Sequence, residues 1–267
     1  MPAEEMRGRR HRRGRSTFST LAVVAVLVLA GVAQSMPDRA RAQEGETVAA
    51  PLDQPPYVTG SAEGEIPGSI GRTVAWRVVR DVAEPKVEAA DEVRALGFGV
   101  PIADPLLTTN VDTGNVARFD PGHIFYVIED STTRRESLTR ATVPYIRIAL
   151  VPEDEVTDPG GDTLLFAGDA FALPADTSDL VIRATSFEVA EGERRPIGGT
   201  RTMLILAVDG SIAYEGIYGQ AGTLQAGEAA TVVVPEGGVP DSNRVDISGL
   251  DPDGSRYVFA TVEYPLD

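Results

Sequence analysis

The chain contains no cysteine. Disulfides therefore cannot staple it, and thiol nucleophiles and a thiol-attached lipid anchor are excluded. Its stability has to come from packing and backbone hydrogen bonds. Histidine is nearly as scarce, with only His11 and His123 in 267 residues. A single imidazole in the body of the chain cannot build a multi-histidine metal site, and any serine triad would have to use His123. No G-x-S-x-G, no glycine-rich phosphate or dinucleotide loop and no N-x-S/T acceptor occurs. Lys86 is the one lysine, and arginine supplies every other basic side chain. We read that bias as one of coding, not of function.

What is present divides along the chain. The net charge is −16, but eight of the 24 basic residues and only three of the 40 acidic ones lie within residues 1–42, so the remainder holds 16 basic against 37 acidic residues, a net of −21. Such a surface repels polyphosphate and anionic lipid, which excludes nucleic acid as a partner and disfavours anionic ligands. Residues 7–15 are strongly basic, Leu21 to Ala33 form an apolar run (LAVVAVLVLAGVA), and Ala40-Arg41-Ala42 follows. A basic region, an apolar region and an A-x-A site make up the tripartite export signal, here with cleavage after Ala42 and a mature chain beginning at Gln43. The run is shorter than the ~20 residues a spanning helix needs. The alternative is an uncleaved anchor that associates with the membrane through residues 21–33. Either way the expected location is extracellular or at the cell surface. Phe18 lies too far from the arginine pairs for a good twin-arginine match. Residues 43–70, rich in Gly, Pro, Glu and Ala without apolar period, read as a flexible linker.

From Thr73 onward, short β-rich runs alternate with turn signals. Thr73 to Arg80 places Val74, Trp76 and Val78 on one face, and Pro144 to Val151 alternates in the same way. Further runs are His123–Glu129, Thr163–Ala167, Ala170–Leu173, Leu180–Phe187, Thr202–Val208, Ser211–Tyr214, Ala230–Val234, Arg244–Ile247 and Arg256–Glu263. Pro121-Gly122, Asp158-Pro159-Gly160-Gly161, Asp209-Gly210 and Asp253-Gly254 supply turns. Lys86 to Leu96 is the one stretch with helical potential. The pattern predicts an all-β body, a sandwich or barrel. Asp251 to Ser255 superficially resembles the start of a calcium loop, but the twelfth position is Val262 instead of glutamate, so a hairpin turn between Val245–Ile247 and Tyr257–Val262 is expected.

An apparent repeat runs through the body: Leu164 to Pro174 (LLFAGDAFALP) and Leu224 to Pro235 (LQAGEAATVVVP) both read strand, Ala-Gly-acid, strand, proline. Gly168 and Gly227 suit a positive φ at a tight turn. These segments resemble the second motif of the cupin superfamily, G-x5-P-x-G-x2-H-x3-N. In the first copy Asp179 stands at the histidine position and Arg183 at the asparagine position; in the second, Asp241 stands at the histidine position within VPDSN. Phe125 to Asp130 (FYVIED) and Leu204 to Gly210 (LILAVDG) resemble the strand that ends the family's first motif, but its H-x-H pair is absent before both.

The resemblance implies a cupin-like double-stranded β-helix or jelly roll made of two β repeats, residues 71–190 and 191–267, with the metal-binding histidines lost. It implies no cofactor and a binding or structural module for a small polar ligand. The rival is a cupin-type isomerase, epimerase or oxygenase using His123 and carboxylates, with Glu129, Asp179 and Asp241 as the carboxylate candidates. The ligand-binding candidates are His123, Glu129, Asp179, Arg183 and Asp241. Trp76, Tyr126, Tyr145, Tyr214 and Tyr218 are aromatic candidates for a pocket wall, although aromatics in strands more often belong to the core.

Overall fold

The computed structural model describes residues 58–67, 73–173, 180–198, 202–234 and 244–263, all of which fall within the unit Ala42–Asp267. These residues form nineteen strands and one turn of 3-10 helix at Glu153–Glu155. The all-β body expected from the runs is what forms. Residues 1–42, read as an export signal, and Asp179 and Asp241 lie outside the described residues.

The first strand, β1 (Val58–Glu65), is followed by ten-stranded pairing among β2 (Thr73–Pro85), β3 (Asp91–Val93), β4 (Gly97–Pro101), β5 (Leu106–Asn110), β6 (Val116–Phe119), β7 (Phe125–Val127), β8 (Thr132–Ser137), β9 (Val143–Pro152), β10 (Thr163–Ala167) and β11 (Phe171–Ala172). The main path runs β6-β5-β8-β2-β9-β4-β7. Its two ends curl toward each other, because the Phe119 ring on β6 lies 4.9 Å from the Phe125 ring on β7. The sheet is therefore a nearly closed barrel.

The remaining strands are β12 (Val181–Val189), β13 (Arg194–Gly198), β14 (Thr202–Asp209), β15 (Ser211–Gly216), β16 (Ala221–Gln225), β17 (Ala229–Val233), β18 (Arg244–Gly249) and β19 (Ser255–Glu263). With β1 they build a two-sheet sandwich, β1-β12-β19-β14-β17 facing β13-β18-β15-β16.

Three cores hold these layers together. Val74, Trp76 and Val78 of β2 with Ile146, Ile148 and Leu150 of β9 pack against Ile182, Leu204, Leu206, Val258 and Val262 of the sandwich. The opposite sides of β14 and β19, carrying Met203, Ile205, Tyr257 and Phe259, pack against Ile212, Leu224, Val245 and Ile247. A third cluster of Ala83, Leu106, Phe125, Val127, Val143 and Tyr145 lies inside the barrel. Strands such as β14 are thus buried on both faces, which is why TMLILAVD is apolar throughout where a half-exposed strand would alternate. Trp76 is fully buried and its indole nitrogen has no hydrogen-bond partner. The roughly 150–250 Å2 such a ring buries, at ~25 cal/mol per Å2, outweighs the ~1–3 kcal/mol cost of the unpaired N–H.

Several expectations are corrected. Val58–Glu65, read as linker, pairs antiparallel with β12, Glu63 opposite Arg183. A division at residue 190 falls after β12, which pairs over its whole length with β19 of the second half. Lys86 to Leu96 is a turn followed by the short β3. Val87, 91% exposed, has no core to face, so tertiary pairing with β8 overrides the helical tendency. β18 and β19 do not form a hairpin: β18 pairs with β13 and β15 in one sheet, β19 with β12 and β14 in the other. The Asp251 segment crosses between sheets as an Asx turn, Asp253 N donating to Asp251 Oδ1 at 3.1 Å. Of the two repeat glycines, Gly227 takes a φ of 88° and Gly168 is absent from the positive-φ glycines.

Candidate functional site

The central pair of the barrel, β2 and β9, sets the site by register. Val79 lies opposite Arg147, and Asp81 opposite Tyr145. The strand alternation that sends Val74, Trp76, Val78, Ile146, Ile148 and Leu150 toward the sandwich sends Arg77, Asp81, Tyr145 and Arg147 to the other face, into the barrel. Arg77, Asp81, Arg135 and Arg147 are all at most 7% exposed.

Two carboxylates and two guanidinium groups close a ring there. Arg94 Nη2 is 3.2 Å from Asp81 Oδ2, and Arg94 Nη1 donates to Asp162 Oδ2 at 3.3 Å. Arg147 Nη2 donates to the same Asp162 oxygen at 2.6 Å, and its Nε lies 3.8 Å from Asp81. Tyr145 completes the cluster by donating its hydroxyl to Asp81 at 2.5 Å. Arg77 is used differently: it donates to the backbone carbonyls of Glu155 and Asp158, tying the 153–162 segment to β2. Burial and the charge of Arg147 lower the Arg77 pKa. Arg94 moves the other way, because Asp81 and its neighbours outweigh the opposing effect of burial. Burial, and then the like charge of Asp81, hold Asp162 above its ordinary value against the pull of Arg147 and Arg94. Burial pushes the Tyr145 phenol up, with Asp81 adding to the shift against Arg135 and Arg94.

Arg135 of β8 stands outside this ring. Its guanidinium carbon lies 5.9 Å from the Phe125 ring centre and 5.8 Å from that of Tyr145. Its nearest carboxylate is Glu92, 3.8 Å away, 43% exposed and also paired with Arg94. Nε, Nη1 and Nη2 are all buried and none donates a hydrogen bond. Arginine stays charged at any ordinary pH, so this is a desolvated cation. Cation–π contact returns ~0.5–2 kcal/mol, against an effective desolvation cost of several kcal/mol per ion. The aromatic wall alone does not balance the burial. Phe125 is itself seated closely: a Cβ on Gly99 would come within 2.0 Å of its ring, so β4 needs glycine there.

Arginines fork onto carboxylates or phosphates and do not shuttle protons near neutral pH. The interior's arginines are therefore suited to recognition of an anion. The interior does not fit the metal that the cupin resemblance would imply. Guanidinium groups repel cations, and no three His, Cys, Asp or Glu side chains group as ligands among the described residues.

The described ligand-binding candidates, His123, Glu129 and Arg183, lie elsewhere. His123 is exposed at the approach to β7, its backbone N–H donating to Asp120 O, so it does not stand inside the barrel where the rival enzyme reading would need it. Glu129 lines an open groove of about 450 Å3 with Glu65, Ile66, Tyr126 and Asp130. There the Tyr126 phenol is pushed up to about 12, by burial and then by Glu65 and Glu129. Asp130 has a φ of 58°, a conformation aspartate tolerates. Arg183 is on the sandwich, paired with Glu63 at 2.9 Å and Glu263 at 3.0 Å, beside a groove of about 200 Å3 lined by Phe187 and Phe259. Of the aromatic candidates, Tyr145 belongs to the charged interior and Trp76 to the core.

Sequence reasoning missed Arg77, Asp81, Arg94, Arg135, Arg147 and Asp162. The signal was alternation itself: in TVAWRVVRD and PYIRIALV, Arg77, Asp81 and Arg147 occupy the face opposite the core, which reads as solvent in an open sheet and is interior in a barrel.

Solved structures similar to the chain include the protein YhaK from Escherichia coli, at 10% identity over 76% of this chain and 94% of that one, with a TM-score of 0.47. A cupin 2 conserved barrel domain protein from Leptotrichia buccalis aligns at 13% identity over 76% and 89%, with a TM-score of 0.34. A salicylate 1,2-dioxygenase from Pseudaminobacter salicylatoxidans aligns at 12% identity over 70% of each chain, with a TM-score of 0.41. No family model matches the chain, and no curated protein matches it.

Proposed function

We propose that this chain is a binding module, exported from the cytoplasm, that holds a small polar ligand inside its barrel without a catalytic metal. The observation that carries the reading is the barrel interior: Arg77, Asp81, Arg135 and Arg147 are buried where a purely structural barrel would carry hydrocarbon. Convergent polar groups above an aromatic floor are the common make-up of a small-molecule site. The arginine-dominated donor set supports recognition over turnover. The negative charge of the rest of the chain supports a small ligand in preference to nucleic acid.

A thermal-shift screen of the purified chain with neutral sugars, small carboxylates and inorganic ions tests this. At least one small polar compound should raise Tm saturably, since a ligand that binds only the folded state stabilises it by mass action. Stoichiometric transition metal surviving dialysis would overturn the metal-free part, and a screen in which nothing shifts Tm would overturn the whole. N-terminal sequencing of the exported chain should begin at Gln43; retention of residues 21–33 would favour an anchored form.

A further inference from the structure

We propose that the ligand is a small aliphatic carboxylate and that Arg135 is the residue that grips it. The inference rests on the binding reading above and narrows it to one side chain and one chemical class. All three Arg135 nitrogens are buried and donate to nothing, a condition no other arginine among the described residues shares. The remaining interior charges are already committed. Arg94 and Arg147 are paired with Asp81 and Asp162, and Arg77 donates to two backbone carbonyls. The one carboxylate within 4 Å of Arg135, Glu92, is 43% exposed and shared with Arg94.

The surroundings select the ligand. A planar guanidinium with free parallel N–H groups matches a carboxylate in a two-point contact better than a spherical ion. Phe125 and Tyr145 flank the guanidinium, and Leu106 and Phe119 join them in the same cluster, so the atoms behind the carboxylate meet hydrocarbon. A neutral sugar would bring the cation no counter-charge, and a multiply charged phosphate would be poorly placed beside these rings. The chain's overall negative charge lowers the approach rate of anions without altering the contact made inside.

The test compares the intact chain with Arg135→Met, which keeps volume and removes charge, and with Arg135→Lys, which keeps charge and removes the fork. Acetate, propionate, phosphate and glucose are titrated by calorimetry and thermal shift. Saturable binding of acetate and propionate to the wild type, weakened roughly tenfold or more in Arg135→Lys and lost in Arg135→Met, is expected. Equal carboxylate binding by wild type and Arg135→Met overturns the assignment. So does a shift by glucose or phosphate with none by carboxylates, an outcome that leaves the binding reading standing. Absence of any shift sinks both. Should Arg135→Met fail to fold, wild-type crystals soaked in 3-bromopropionate decide the matter: the bromine signal is expected beside Arg135, and a signal elsewhere or none at all overturns the proposal.

Discussion

The barrel and the sandwich use the same construction with opposite interiors. Each has a central antiparallel pair, β2 with β9 and β14 with β19, that shows one face to the shared core between them. On the other face the sandwich carries Met203, Ile205, Tyr257 and Phe259, and the barrel carries Arg77, Asp81, Tyr145 and Arg147. An apolar interior is the cheaper way to hold two sheets together, because buried ion pairs rarely repay their desolvation. The sandwich therefore reads as scaffold and the barrel as the part with another task. The same contrast says where a substitution should disturb binding and where it should disturb stability alone.

The largest effect is expected at Asp81. Asp81→Ala removes the carboxylate that pairs with Arg94 and Arg147 and accepts the Tyr145 hydroxyl, and should cost about 3–5 kcal/mol in urea unfolding. A cost under 1 kcal/mol would show that the ring is not what holds the barrel. In the sandwich, Ile205→Val removes one buried methyl group and should cost about 0.5–1.5 kcal/mol while leaving ligand-induced Tm shifts unchanged. If ligand response changed as much as stability, the division of labour between the halves would be wrong.

A smaller, pH-dependent effect is expected at Asp162. Its native pKa is raised, so the folded chain holds this proton more tightly than the unfolded chain does. Its contribution to stability is thus present below the ordinary carboxyl value of ~3.9 and lost as pH rises through the raised native value. Asp162→Asn cannot titrate, so its urea midpoint should fall less than that of the wild type across that window. Parallel curves would refute the raised value. The smallest effect belongs to Arg183. Its pairs with Glu63 and Glu263 are largely exposed, and Arg183→Ala should cost at most ~1 kcal/mol, with the loss shrinking in high salt.

Much of the strand pattern was legible in advance. Thr163–Ala167 matches its strand end to end, and Thr202–Val208, Pro144–Val151 and Arg256–Glu263 match within a residue. Gly122, Gly210 and Gly254, in turns read from sequence, do take positive φ. Three of the strands that escaped notice show why they were missed. β8 reads TTRRES because its inward positions are Thr133, Arg135 and Ser137, and polar residues in a strand look like a loop. β4 reads GFGVP because Gly99 lies against the Phe125 ring. β1 reads VTGSAEGE, half-exposed along its length, with Gly64 lying under the Tyr126 ring.

Local rules act over a few residues: alternation, turn chemistry and side-chain volume are written in adjacent positions, and they were enough to establish an all-β body with its turns in place. Which strands become neighbours depends on contacts far apart in the chain, such as Glu63 with Arg183 or Arg94 with Asp162. Pairing across that separation decides whether the face opposite a core meets water or the inside of a barrel. The same arginine is a solvated surface charge in the first case and a buried cation seeking an anion in the second, because the dielectric around it is a property of the closed sheet and not of its neighbours in sequence.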